Sequence, residues 1–397
     1  MREKRDRQVA TAAFIVMLCI VALTIVTQLL WTRPTEGLPR DRAADDTQTV
    51  EARVVRVIET GKVEIAPGLT QPFQRLELEI VSGPLRGERA QVEHGATDLS
   101  SEESLFRKDD HVLVTVAARA EGGYAFMITD VVRTGALALL GAIFLGFTVL
   151  VSGWKGLRAL VGLAVSFVVL LCFVLPQILA GRNPVLVSVI GSFGLLAVTL
   201  YLTQGWALKT HAALLGVCIT LILTGALAAF AVNLSRLSGF GSEDAMFLQT
   251  AGASVNLRGL LLAGIIVGTL GVLDDVIVGQ ASAVMELAKA NPAWDWRELY
   301  LRAMNIGQDH IAATVNTLVL AYVGAAMPMF LLFQLYPEPW TQTLNREIVA
   351  EEIVRTLVGS LGLIAAVPIT TFIASVLRSR NLSAPASPSV GPESFGG

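Results

Sequence analysis

From residue 134 onward the chain is almost stripped of charge, and this restricts its fold more than any other feature. Only 26 of its 63 charged residues fall in those 264 positions. A soluble surface carries about a quarter of its residues as Asp, Glu, Lys and Arg, so this stretch cannot be one. Crossing about 30 Å of hydrocarbon takes roughly 20 apolar residues. Eight segments of that kind are present, at 9–31, 134–153, 157–180, 185–203, 211–234, 257–278, 311–333 and 353–377. The expectation is a membrane-embedded all-α bundle of about eight transmembrane helices.

The remaining charge is concentrated elsewhere. Residues 1–8 hold 6 charged residues and residues 32–133 hold 31. The first apolar run follows Arg2, Lys4, Arg5 and Arg7 and lacks a small-residue cleavage site, which reads as an uncleaved signal anchor. With the N-terminus inside, twelve Lys and Arg collect in the inner loops and ends, against five (Arg182, Arg236, Arg258, Arg346 and Arg355) in short outer loops. This asymmetry implies cytoplasmic termini and an extracytoplasmic domain. The organisation expected is a cytoplasmic N-terminus at 1–8, the anchor at 9–31, a soluble domain at 32–133, a seven-helix domain at 134–377 and a disordered Ser/Pro/Gly-rich tail at 378–397.

Residues 45–133 carry the two-residue alternation of half-buried strands, as in Val50-Glu51-Ala52-Arg53-Val54 and Leu76-Glu77-Leu78-Glu79-Ile80. Five or six short strands at this spacing suggest a small all-β barrel of the OB or SH3-like type. His94 and His111 stand singly, without metal-ligand spacing. Cys19, Cys172 and Cys218 lie in apolar runs and imply neither a disulfide nor a metal site.

Ionisable residues in spanning helices are costly and mark functional candidates. They are few here. Asp274 and Asp275 end the apolar run of the sixth segment, and Asp309 and His310 open the seventh, near Asn305, Thr314, Asn316 and Thr317. Antiparallel neighbours would bring these groups to one depth near the cytoplasmic face. Asn305, Asp309 and Asn316 share one helical stripe, and His310, Thr314 and Thr317 a second. Gly264, Gly268 and Gly271 form a small-residue stripe suited to close helix packing. The bland alternatives are that the aspartates sit among headgroups and that His310 is satisfied locally.

Hydrolytic and nucleotide motifs are absent: there is no HExxH, GxSxG or Walker loop, and Gly271-Val272-Leu273-Asp274 only echoes GxGD. No enzyme class, cofactor or metal is indicated. A net charge of −3 excludes a phosphate-binding field, and with it nucleic acid. Two function classes stay open. One is a transporter or permease-like bundle for a proton, cation or small polar solute, with broken-helix candidates at Pro176, Pro328 and Pro368 but no inverted repeat. The other is a scaffold or sensor. Its β domain would bind an envelope component, and the segment around Trp294 and Trp296, read as an amphipathic helix on the inner leaflet, a cytoplasmic protein.

The stretches Gly268-Thr269-Leu270-Gly271-Val272-Leu273-Asp274-Asp275-Val276, Gln280-Ala281-Ser282-Ala283-Val284-Met285-Glu286-Leu287 and Ile306-Gly307-Gln308-Asp309-His310-Ile311-Ala312-Ala313-Thr314-Val315-Asn316-Thr317 resemble the YibE/F-like family of bacterial multi-pass membrane proteins. The resemblance covers roughly 134–377. It implies an integral plasma-membrane protein and brings no catalytic or ligand residues with it.

Overall fold

The computed structural model describes residues 47–96, 101–118, 123–252 and 255–383. The expected anchor at 9–31 and most of the C-terminal tail lie outside them. The described residues divide into two compact units, one ending at Val151 and the other starting at Ser152.

The first unit contains five antiparallel strands: β1 (Thr47–Ala66), β2 (Leu69–Ile80), β3 (Arg89–His94), β4 (His111–Ala118) and β5 (Tyr124–Val131). Their order is β3-β2-β1-β4-β5. The barrel expectation is corrected here, because the sheet is not closed: β3 and β5 approach one another without a shared ladder. The long β1 spans both halves, pairing with β4 through Thr47–Arg53 and with β2 through Ala52–Ala66. Three register shifts along the β1–β2 ladder bend it, as bulges do. β1 and β2 are longer than the alternation indicated because Pro67-Gly68 closes them as a two-residue hairpin. Gly68 there takes a φ of 78°, which a side chain disfavours.

Alternation explains the core of this unit. Val50, Ala52 and Val54 of β1 meet Leu76, Leu78 and Ile80 of β2 and Val112, Val114 and Val116 of β4, all buried. Their neighbours in sequence face outward and pair across strands: Arg75 with Glu93 and Glu59, Arg53 with Glu79, Arg56 with Glu77. Such exposed pairs contribute little each. Buried polar groups are matched: Gln74 donates to the Phe106 carbonyl at 3.1 Å and accepts from the Phe106 N–H at 2.8 Å. The Val131 N–H, then the Arg133 guanidinium, hold the Asp130 carboxyl below the usual carboxylate range.

The remainder is helical: α1 (Thr134–Val169), α2 (Leu175–Leu179), α3 (Pro184–Gln204), α4 (Leu208–Leu234), α5 (Glu243–Thr250), α6 (Leu257–Ala290), α7 (Trp296–Ala325), α8 (Met327–Leu335), α9 (Trp340–Asn345) and α10 (Glu347–Ser383). Among the described residues five stretches are long and apolar enough to cross a membrane, or six if the bent α7–α8 pair counts as one. The expected eight are therefore not all found. The segments expected at 134–153 and 157–180 belong to one 46-residue stretch, Thr134–Leu179. Gly153, at φ 55° and ψ −136°, breaks it. No proline or polar loop separates the two halves, so a glycine outside helical geometry is the only interruption. Further on, Leu170–Val174 form a π-helical turn just before Pro176, whose missing N–H and ring disfavour regular helix.

The helix ends follow capping rules. The Asn183 side chain accepts from the Val185 and Leu186 N–H groups, with Pro184 at the first helical position; Asn256 and Asp295 cap α6 and α7 in the same way. α7 and α8 meet at 61°, where Pro328 follows Met327. α6 runs twelve residues past the expected end at 278, and α7 starts fifteen before the expected 311. Only 291–295 lies between them, so Trp294 stands in this short connection, Trp296 opens α7, and the two do not form a separate surface helix. The polar residues of this stretch are accommodated on helix surfaces, as in the Glu286–Lys289 and Glu298–Arg302 pairs.

α10 packs against α4, α6 and α7. On α4 the approach is close at two reciprocal points: Gly216 faces Thr370, and Gly362 of α10 faces Thr224. Small residues at such points let backbones approach, which is the main attraction between helices in lipid. Gln280 of α6 joins three helices, donating to the Ala303 carbonyl of α7 at 2.8 Å and to the Thr371 hydroxyl of α10 at 2.7 Å.

Candidate functional site

A cavity of about 460 Å³ lies between the second half of α1, α3 and α6. Its walls are mostly aliphatic and aromatic, among them Leu163, Phe167, Leu195, Leu196 and Leu270. The polar groups lining it are Ser166, Thr199, Thr203 and Asp274. Helical periodicity places them: Thr199 and Thr203 are one turn apart on α3, and Leu270 and Asp274 one turn apart on α6. Each hydroxyl is already used as a donor on its own helix. Ser166 donates to the Gly162 carbonyl, Thr199 to Leu196 and Thr203 to Thr199.

Asp274 differs from these. Its Oδ1 is buried and has no hydrogen-bond partner, and among the described residues no cation pairs with it. The residue as a whole is half-buried, and a carboxylate oxygen removed from donors in a low-dielectric interior is costly. A buried acceptor of this kind makes Asp274 a functional candidate.

Asp275 points away, to the exposed side of α6. Gly264, Gly268 and Gly271 share that exposed side. A Cβ at Gly264 or Gly271 would meet nothing within 4 Å, and one at Gly268 only the Tyr322 hydroxyl at 3.7 Å. Tyr322 of α7 thus reaches the stripe at Gly268, and Gly271 also lies on the rim of the cavity described above.

The α7 candidates are not brought to Asp274. Asn305, Asp309, His310, Asn316 and Thr317 are exposed, and Thr314 is half-buried. α7 packs inward through Leu299, Ala303 and Gly307, with Met304, Ile311 and Val315 against α6 and α10. The Thr314 hydroxyl donates to the His310 carbonyl and Thr317 to Ala313, so both are satisfied within α7. α6 meets α7 through Val272, Val276 and Gln280, and Asp274 lies midway in sequence between Val272 and Val276, about 160° around the helix from each. Asp274 and the α7 stripe therefore lie on opposite sides of α6. Their depths are close: pairing of Gln280 with Ala303 and of Gly268 with Tyr322 puts Asp309 near Val276, about 3 Å along the axis from Asp274.

The α6 helix is longer than its apolar run, so Asp274 sits near the middle of 34 residues and not at a helix end. The sequence reading passed over Ser166, Thr199, Thr203 and Gln280. A hydroxyl pair at i, i+4 inside the apolar 185–203 run was the available signal. Among the described residues no group of three His, Cys, Asp or Glu side chains is placed to hold a metal. A further cluster joins α3 and α4, where the Tyr201 hydroxyl lies 2.8 Å from His211 Nδ1 and Trp206 stacks on Tyr201 at 4.8 Å.

The YibE/F-like protein family profile matches residues 140–380, which is more than half of the chain and includes every helix that builds the cavity. The chain belongs to the YibE/F-like family. The long apolar helices of this YibE/F-like protein make it a membrane protein. No curated protein and no solved structure matches it.

Proposed function

We propose that the helical unit of this YibE/F-like protein is permease-like and that the Asp274 cavity is its solute site. One observation carries the reading: a buried carboxylate oxygen without a partner lines a cavity large enough for a small molecule, within a helix long enough to span the membrane. The π-helical turn, Pro176 and the Gly153 break lie on the helix that forms one cavity wall. Irregular backbone of this kind lines sites in transporters. In this reading both termini are cytoplasmic, and the transported species is a cation, a proton or a small polar solute. The α7 residues Asn305, Asp309, His310, Asn316 and Thr317 belong to a separate outward surface and do not line the path.

Purified protein in liposomes tests the proposal. Imposed gradients of protons, alkali cations and small organic cations are expected to dissipate faster than in empty vesicles, and Asp274→Asn to reduce the rate at least about tenfold, the scale of losing one buried charged partner. Flux equal to that of empty vesicles for all of them removes the proposal.

A second reading, a scaffold acting through the β unit, has one observation in its favour. The edge strand β5 exposes Tyr124 and Met127, at 49% and 55% of their full surface. It requires that Tyr124→Glu release a partner co-purified with the wild-type protein. An unchanged set of partners removes its support.

A further inference from the structure

The chemistry of the cavity narrows its occupant, on the reading that this cavity is the functional site. Asp274 supplies a carboxylate, which accepts and does not donate when ionised. Ser166, Thr199 and Thr203 have spent their hydroxyl protons on backbone carbonyls of their own helices and turn only lone pairs to the cavity. Among the described residues no Lys, Arg, His, Asn, Gln, Trp or Tyr lines it, and the backbone N–H groups of helix interiors are committed to helical bonds. With Asp274 ionised, the polar part of the wall accepts hydrogen bonds and carries negative charge. An anion, or a solute whose polar atoms are mainly acceptors, would leave both itself and the wall unsatisfied.

The rest of the wall decides between kinds of cation. A hydrated alkali or divalent ion needs oxygen ligands or water on all sides, six or more for a typical hard cation. Here most of the wall is aliphatic or aromatic and the oxygens are few. An organic cation with one charged N–H and an apolar body satisfies both parts: the N–H on Asp274, the body against Leu196 and Phe167. Leu163 and Phe167 line the cavity and remain 46% and 56% exposed, so its apolar wall is accessible to a hydrocarbon body.

We infer that the Asp274 cavity binds lipophilic monovalent organic ammonium ions, each donating an N–H to the Asp274 carboxylate while its hydrocarbon part fills the space between α1, α3 and α6.

Titration calorimetry on the full chain in lipid nanodiscs tests this, with protein-free nanodiscs subtracted. The probes are benzyldimethylammonium, its neutral carbon isostere isobutylbenzene, and the chlorides of sodium, potassium and magnesium. The expected result is saturable binding of benzyldimethylammonium at least about tenfold tighter than isobutylbenzene, with that preference lost in Asp274→Asn. Gly162→Leu, which fills the cavity and keeps the carboxylate, is expected to abolish binding. The comparison of amine with isostere needs only the wild-type chain, so a variant that fails to fold does not remove the test. Equal binding of the two, or no saturable binding of the amine, overturns the inference. So does an Asp274-dependent site for an inorganic cation that the amine does not occupy; together with Asp274-dependent flux of that ion, it would leave the permease reading standing. Asp274-dependent amine binding without flux of any solute would do the reverse.

Discussion

Replacing Gln280 with Leu removes the one side chain that hydrogen-bonds across α6, α7 and α10, and the structure sets the size of the effect. Gln280 is 4% exposed, and its amide donates to the Ala303 carbonyl and to the Thr371 hydroxyl. Leu has a similar volume, so little cavity is created. The groups left behind are not orphaned: Ala303 lies inside α7, where its carbonyl keeps its helical bond, and the Thr371 hydroxyl still donates to the Val367 carbonyl. The loss is therefore two interhelical hydrogen bonds without a desolvation penalty. Such bonds contribute about 0.6 kcal/mol each on average in a membrane protein, and at most about 1.7. Gln280→Leu is expected to cost about 1–2 kcal/mol. Thr371→Val removes only one of the two, and the double variant should be less destabilised than the sum of the singles by about 0.5–1 kcal/mol. Equilibrium unfolding in bicelles, read by a fluorophore pair on α6 and α10, measures all four corners of this cycle. A coupling energy indistinguishable from zero would refute the three-helix bridge, and a loss well above about 3 kcal/mol would refute the claim that its partners stay satisfied.

Two other outcomes are expected. Gly362→Ala should destabilise by about 1–3 kcal/mol in the same unfolding assay, because its methyl group would lie against the Thr224 hydroxyl; Thr224→Ala in the same chain should recover most of it. Equal losses with and without Thr224→Ala would show that the two helices do not meet there. In the β unit, NMR titration of Asp130 should give a midpoint below the usual carboxylate value. The contribution of its ionised form to stability is then present above the unfolded value and lost as the pH falls through that lower midpoint. Arg133→Ala should raise the midpoint, and an unchanged value would show that the guanidinium is not a partner.

Patterning made the coarse architecture legible before the fold was examined. The alternation in β1, β2, β3 and β4 marks residues that are buried, because a strand with one face in the core admits only one register. The runs at 185–203 and 211–234 end within a few residues of α3 and α4, since capping residues and glycine stand at the ends of α3. Three features were hidden for identifiable reasons. The boundary expected at 153 falls on the Gly153 break, but hydropathy does not show that helix resumes directly after it without a loop. Hydrophobicity also cannot tell where a helix ends once it leaves the apolar layer, so α6 and α7 run on through a stretch that looks like a loop. The third is the partnering of Asp274. Its side of α6 is settled by packing against α3, whereas Asp309 and His310 were the more conspicuous pair in sequence and lie on the other side of α6.

The central claim is that the negative charge of Asp274 governs what enters the space between α1, α3 and α6. Its most direct test is the rate at which thiol reagents modify a cysteine placed at Thr199, with Cys19, Cys172 and Cys218 replaced by Ala. A cationic ammonium reagent is expected to react faster than a neutral reagent of the same size, and Asp274→Asn to remove at least about tenfold of that preference. A preference for the cation that is the same with and without the Asp274 carboxylate would contradict the account.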